Sequence, residues 1–144
     1  MTEQPQPPYS PAPQPALPVP PQPMLESDAR MWSMFTNLAT VIGVALTAGT
    51  LQIVAVLVIW LVYRERSALV DFHGKQQVNL NITLILAAIA ATIGSFVTLG
   101  LGIIPFFLAL SAYGIYLFVI SILAAVAANR GEYYRIPGII RFIK

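Results

Sequence analysis

The chain lacks cysteine altogether and carries little charge. Its 144 residues include no cysteine, which excludes disulfide bonds and thiolate chemistry. Only 10% of the residues are charged, whereas a soluble domain has about 25%. Because so few charges cannot cover a water-facing surface of this size, the sequence excludes an ordinary soluble domain.

The charged residues are also absent from two long stretches. Residues 31–63 and 76–129 contain no aspartate, glutamate, lysine or arginine. Uncharged apolar runs longer than about 18 residues are typical of membrane spans. We therefore predict an all-α integral membrane four-helix bundle. Ion-coupled pumps depend on ionisable groups within the membrane, so the uncharged runs argue against that class of protein.

A proline-rich segment precedes the apolar part. Ten of the twelve prolines lie between Pro5 and Pro23, mixed with glutamine and alanine. Such a segment has little apolar surface to bury and loses backbone donors at each proline. We expect residues 1–27 to form a disordered Pro/Gln-rich tail.

Breaks in the apolar pattern divide residues 28–144 into four helices. Gly49 interrupts the shorter uncharged run, while Gly100, Gly102 and Pro105 form a predicted turn in the longer run. The predicted helices are 31–47, 50–63, 70–99 and 103–129, followed by a short interfacial segment, 132–144. If the part after Pro137 is helical, its apolar and basic residues separate onto two faces suited to an anionic leaflet.

Basic residues indicate the orientation of these helices. Four crossings place every lysine and arginine on one side, which satisfies the positive-inside rule. We therefore expect a multi-pass protein of the bacterial inner (plasma) membrane with both termini cytoplasmic. An alternative is an in-plane helix at 30–41 followed by three spans. The expected interfacial anchors on the basic side are Trp32, Trp60, Tyr63, Tyr134 and Arg135.

Two helices carry stripes of polar and small residues. On the third helix the stripe is Gln76, Asn79, Thr83, Ala87, Ala90 and Gly94, and on the first it is Ser33, Thr36, Thr40, Gly43 and Thr47. Such faces should point inward, because polar groups in hydrocarbon need partners. Close helix packing and a polar groove between helices one and three both fit the stripes. A second polar edge, His73, Gln77 and Asn81, could hydrogen-bond a neighbouring helix or loop.

The residues show no recognisable catalytic or metal site. His73 is the only histidine, and a metal site normally needs three or four ligands. Asp71 beside it lacks a nucleophile and an oxyanion site, and its charge suits a helix N-terminus. We expect no catalytic residue, metal, cofactor or nucleic-acid partner.

Three blocks of residues carry a family resemblance. They are "MWSMFTNLATVIG", "VIWLVYRERSALVDFHGKQQVNLNIT" and "ANRGEYYRIPGIIRFIK". From Arg30 to Lys144 the chain resembles small bacterial membrane proteins of domain of unknown function 4870, which are Tic-twenty-like. The resemblance implies a four-helix membrane domain without known catalysis. Asn37 stands where that family has a histidine. The candidate functional or interhelical contacts are Asn37, Phe72, His73, Lys75, Gln76, Asn79 and Thr83.

Two functions remain open at this point. The first is a non-enzymatic structural or partner-binding membrane subunit. The second is a pore-forming or protein-translocation-related subunit with a polar groove between helices one and three. The expected partners are the lipid bilayer and either another membrane protein or further copies of the chain.

Overall fold

The computed structural model describes residues 20–47, 52–98 and 100–144. Within these ranges the chain forms four α-helices and no strand. They are α1 (Glu26–Thr47), α2 (Gln52–Tyr63), α3 (Ala68–Val97) and α4 (Ile103–Asn129). The prediction of an all-helical chain with four helices is therefore confirmed. Residues 1–19 of the predicted disordered tail lie outside the described residues, as do the predicted break at Gly49 and Leu99.

The first helix begins earlier than its apolar pattern indicates. It starts at Glu26 rather than at residue 31, with Glu26 and Asp28 in its first turn, where carboxylates suit the helix dipole. The preceding residues contact the α2–α3 turn, because the Met24 amide donates to the Arg66 carbonyl oxygen at 3.0 Å. Hydropathy alone misses this polar first turn.

Side-chain contacts define how the four helices run. Trp32 stacks on Tyr63 with ring centroids 4.4 Å apart, so the start of α1 lies beside the end of α2. Asn37 and Thr40 of α1 bond His73 and Gln77 of α3 in the same order, so α1 runs in the same direction as α3. Leu80 packs with Leu117 in one apolar cluster, and α4 returns antiparallel to α3.

The helices make two regions of different character. The proximal layer consists of α1, α2, residues 68–84 of α3, residues 113–129 of α4 and the C-terminal segment 131–144. The distal hairpin consists of residues 85–112. The buried residues of α3 lie between Leu69 and Asn81, and those of α4 begin at Leu117. None of the described residues of the distal hairpin is buried.

The C-terminal segment does not form the helix considered for the residues after Pro137, and its placement at a membrane interface stays a prediction. Residues 132–144 form no helix, and Gly138 has a φ of 71°, a left-handed conformation that favours glycine. Ile136 is only 1% exposed and packs with Leu80 and Leu117. The segment is docked on α3, whose side chains accept from its backbone amides, and on α4, where the Tyr116 hydroxyl donates to the Pro137 carbonyl oxygen.

Candidate functional site: a buried polar network on helix α3

Asn37 of α1 and His73 of α3 form the first link of a buried network. The Asn37 Nδ2 atom lies 3.1 Å from His73 Nδ1 and 2.8 Å from the Ser33 carbonyl oxygen. A carbonyl can only accept, so Nδ2 is the amide nitrogen and His73 Nδ1 must accept its second proton. The position that the resemblance assigned to a histidine thus still contacts His73, through an amide.

The other ring nitrogen of His73 binds the chain after α4. His73 Nε2 lies 3.0 Å from the Glu132 carbonyl oxygen, so it carries the proton and donates. That carbonyl is positioned by a helix stop at Gly131, whose φ is 79°. The Gly131 amide donates to Ala128 and the Glu132 amide to Ala127, which is a Schellman motif. His73 is therefore neutral here, with both nitrogens bonded.

Gln77, one helical turn after His73, joins three helices. Its Oε1 accepts from Thr40 Oγ1 of α1 at 2.8 Å, and its Nε2 donates to Asn37 Oδ1 at 2.7 Å. A longer contact of 3.5 Å joins Nε2 to Ser121 Oγ of α4. The side chains of Asn37, Gln77 and Ser121 are all fully buried. We call Asn37, Thr40, His73, Gln77 and Ser121 the polar network.

The predicted stripe on α3 faces a different partner. Gln76 Oε1 accepts from the Ile136 amide at 3.2 Å, and Thr83 Oγ1 accepts from the Ile140 amide at 3.1 Å. Near the end of the chain, Asn79 Oδ1 accepts from the Phe142 amide at 3.0 Å and from the Ile143 amide at 2.9 Å. These side chains replace the backbone bonds that a non-helical segment lacks.

The predicted polar groove between helices one and three would involve a different edge of α3 from the predicted stripe. Gln76, Asn79 and Thr83 bond the C-terminal segment and not α1. The side chains of α3 that meet α1 are His73 and Gln77, the edge adjacent to the predicted stripe. Thr40 of the first-helix stripe does bond α3, through Gln77. A helical wheel places Gln76 and Gln77 only about 100° apart, so it could not decide which edge met which neighbour.

The remaining candidate residues surround the network. Phe72 meets Tyr133 edge to face, with centroids 5.1 Å apart. Lys75 forms an ion pair of 2.7 Å with Asp71, and the same carboxylate accepts from Trp60 Nε1 at 2.9 Å. Asp71 lies in the first turn of α3, where Ser67 is the N-cap and accepts from the Val70 amide.

The predicted anchors lie in the proximal layer. Trp32 and Tyr63 form the stack already described, and the Arg64 guanidinium lies 5.6 Å from the Trp60 ring. Tyr134 packs against the cluster that contains Leu80, and Arg135 is exposed. Their role at a membrane interface stays a prediction.

Sequence reasoning overlooked Ser121 as a member of the network. It lies in α4 within a run of alanine and large apolar residues, where a single hydroxyl gives no periodic signal. Gln77 was visible only as part of the edge from His73 to Asn81. Asn81 itself donates to the Gln77 carbonyl oxygen of its own helix at 2.8 Å, and its buried Oδ1 has no hydrogen-bond partner.

Comparison with known families decides which family contains this arrangement. Residues 28–143 match the magnetosome magnetite crystal formation protein family, MamF/MmsF. The chain belongs to this family. The match covers nearly all of the helical part of the chain, from the first turn of α1 to the penultimate residue of the docked C-terminal segment. No curated protein and no solved structure is detectably similar to the chain.

Membership of the MamF/MmsF family corrects the resemblance to domain of unknown function 4870 and the Tic-twenty-like proteins. That resemblance was wrong as a family assignment. Its most specific block contains Phe72, His73 and Asn79, which hold α3 to α1 and to the chain after α4.

Two helices of the MamF/MmsF chain are long and apolar enough to cross a membrane. Among the described residues these are Ala68–Val97 and Ile103–Asn129. The helix α2 is apolar but has only 12 residues. These lengths are compatible with a protein of a bacterial membrane.

Proposed function

We propose that the protein is a non-enzymatic subunit of the magnetosome membrane that takes part in magnetite crystal formation as a structural or partner-binding component. The family match supplies the process. The location in a membrane is supported by the distal hairpin, where side chains as large as Phe96 and Leu101 are 79% and 85% exposed. Large exposed apolar surfaces mark contact with membrane or protein.

In this proposal α3 and α4 cross the bilayer, whereas α1 and α2 occupy one leaflet. The 12 residues of α2 rise about 18 Å, against a hydrocarbon core of about 30 Å. Thr40 of α1 is level with Gln77 of α3. From that level α1 rises about 10 Å to Thr47, while α3 rises about 30 Å to Val97. The end of α1 therefore lies about 20 Å short of the end of α3.

The proposal keeps both termini on the cytoplasmic side of the membrane. All eight lysine and arginine residues and all six acidic residues lie outside residues 76–129, so charged side chains stay at the proximal end. This arrangement satisfies the positive-inside rule with two crossings as well as with four. An in-plane first helix fits less well, because α1 runs along α3 and its buried residues bond α3.

The contacts of the polar network favour a packed subunit over a pore. Asn37, His73 and Gln77 bond one another directly and are fully buried. A conducting path would need these groups to face water instead. Bonds of this kind hold helices together inside membranes, which supports a structural role for the network.

Gene replacement in a magnetosome-forming bacterium tests the proposed role. Removal of the gene should change the size or number of magnetite crystals seen by electron microscopy, and the intact chain should restore them. The variant Gln77→Met, which breaks the network, should restore them less well at equal protein level. The isosteric change Asn81→Leu on the same helix is the control and should restore them fully. Unchanged crystals after gene removal would contradict the proposal.

A further inference from the structure

The protein has different widths at its two ends. The proximal layer contains parts of all four helices and the docked C-terminal segment, whereas the distal hairpin contains only α3 and α4. Since each helix with side chains is about 10 Å across, the proximal layer has roughly twice the cross-section of the distal hairpin. The molecule is therefore a wedge along the direction of α3.

The distal hairpin is built to contact lipid chains. Its hydroxyl groups bond carbonyl oxygens of their own helix: Thr92 to Ala88, Ser95 to Ala91, Thr98 to Gly94 and Ser111 to Phe107. In the turn, the Gly102 amide donates to Thr98 Oγ1 at 3.0 Å. Unpartnered polar groups in hydrocarbon cost several kcal/mol, and here each of these groups has a partner without a second protein chain.

The proximal layer is also surrounded by apolar side chains. Ile42 and Val58 are 51% and 56% exposed on α1 and α2, and Val119 of α4 is 50% exposed. At a similar level along α3, the C-terminal segment beside Asn79 carries the exposed basic residues Arg141 and Lys144, whose long side chains can extend to anionic headgroups. The wide end therefore occupies the leaflet on the side of the termini, and the narrow end occupies the opposite leaflet.

We infer that the protein prefers bilayers that bulge toward the side of its termini, so that it concentrates in strongly curved membrane. A wedge that is wide in one leaflet expands that leaflet relative to the other. The expansion relaxes stress where this leaflet is the convex one and adds stress where it is the concave one. The inference rests on the one-leaflet placement of α1 and α2 in the proposed function.

Opposite orientations of the same protein provide the matched test. The chain has no cysteine, so the tail variant Ser10→Cys accepts a dye at one position. In giant vesicles of a phosphatidylcholine and phosphatidylglycerol mixture, a membrane-impermeant dye marks molecules whose termini face outward. A permeant dye of another colour then marks those whose termini face inward. A narrow tube is pulled from the vesicle, and each dye is compared with a lipid dye in tube and vesicle.

We expect about a twofold enrichment of the outward-facing molecules in the tube, which corresponds to roughly 0.4 kcal/mol. The inward-facing molecules should be depleted by a similar factor. An even distribution of both, or enrichment of both, would overturn the inference, since a wedge must respond with opposite signs. Extraction of the protein from these vesicles by alkaline carbonate would instead contradict membrane insertion itself, and with it the proposed function.

Discussion

The proximal layer and the distal hairpin use their residues in opposite ways. In the proximal layer, α3 buries His73, Gln76, Gln77 and Asn79, and each bonds a group on another part of the chain. In the distal hairpin, polar side chains are few and bond their own helix. Alanine, phenylalanine and branched apolar residues cover the rest of its surface.

The difference shows how one pair of long helices can serve two tasks. The proximal layer is specified by directional hydrogen bonds between elements, and a substitution there leaves a partner unsatisfied. The distal hairpin has no such bonds to lose, because its packing partner in the proposal is fluid lipid. Matched substitutions in the two regions should therefore have effects of different size and even of different sign.

Two helical glycines give the largest expected contrast. A methyl group added at Gly74 would lie 2.5 Å from Cγ and 2.8 Å from Cβ of Trp60, and the Trp60 ring is held by Asp71. We expect Gly74→Ala to destabilise the protein by about 3 kcal/mol. A methyl group at Gly94 meets nothing within 4 Å, and Gly94→Ala should stabilise its helix by about 0.5–1 kcal/mol. Unfolding in detergent mixtures, followed by circular dichroism of the helices and by tryptophan fluorescence, measures both.

Equal destabilisation by the two glycine variants would contradict the proposed division. Gly114→Ala is a second control for an unobstructed glycine, since a methyl group there also meets nothing within 4 Å. Because both tryptophans of the chain, Trp32 and Trp60, lie in the proximal layer, the fluorescence signal reports unfolding of that layer directly.

Two buried amides on α3 separate bonded from unbonded polar groups. Gln77→Met removes bonds to Thr40, Asn37 and Ser121 and should destabilise by about 2 kcal/mol, at roughly 0.6 kcal/mol for each interhelical bond. Asn81→Leu removes one bond within its own helix and an unpartnered Oδ1 atom. It should be neutral or slightly stabilising, because an unsatisfied buried acceptor is lost.

The same unfolding measurement decides between these outcomes. If Asn81→Leu lowers the free energy of unfolding as much as Gln77→Met does, the interhelical hydrogen bonds of Gln77 would not be the source of its contribution to stability. On our account, the double variant Thr40→Val with Gln77→Met should be little more destabilised than Gln77→Met alone, because the two residues share a hydrogen bond.

The C-terminal segment gives a smaller and more local effect. Asn79→Leu removes three bonds, to the Phe142 amide and to both backbone groups of Ile143. Release of the segment should raise the rate of trypsin cleavage after the exposed Arg141 by about tenfold, which corresponds to 1.4 kcal/mol. Thr92→Val, which removes a distal hydroxyl bonded only to its own helix, should leave that rate unchanged. Similar cleavage rates in all three proteins would show that Asn79 does not hold the segment.

The sequence predicts the four helices well, because each depends on a local pattern. Glycine and proline mark the turn between α3 and α4, and the charged residues 64–66 mark the turn between α2 and α3. The relative depth of the helices was not predictable. Hydropathy counts residues within a helix, whereas depth depends on which residue of α1 meets which residue of α3.

The polar site shows the same division between local and distant information. The spacing of His73 and Gln77 predicts a polar edge on α3, yet their hydrogen-bond partners lie 36 to 59 residues away along the chain. The pattern of residues 138–144 fits an amphipathic helix taken alone. Asn79 and Thr83 compete successfully for its backbone donors, which is a tertiary effect that local propensity does not contain.

The depth of α1 relative to α3 tests the central claim most directly. Leu46 near the end of α1 and Phe96 near the end of α3 are each 79% exposed, so Leu46→Cys and Phe96→Cys can each carry a small fluorophore. Lipids brominated near the headgroup or near the chain end then quench each label according to its depth. We predict strongest quenching of the label at position 46 by the deep bromines and of the label at position 96 by the shallow ones. Strongest quenching of both labels by shallow bromines would contradict the placement of α1 and α2 in one leaflet and would favour four full crossings.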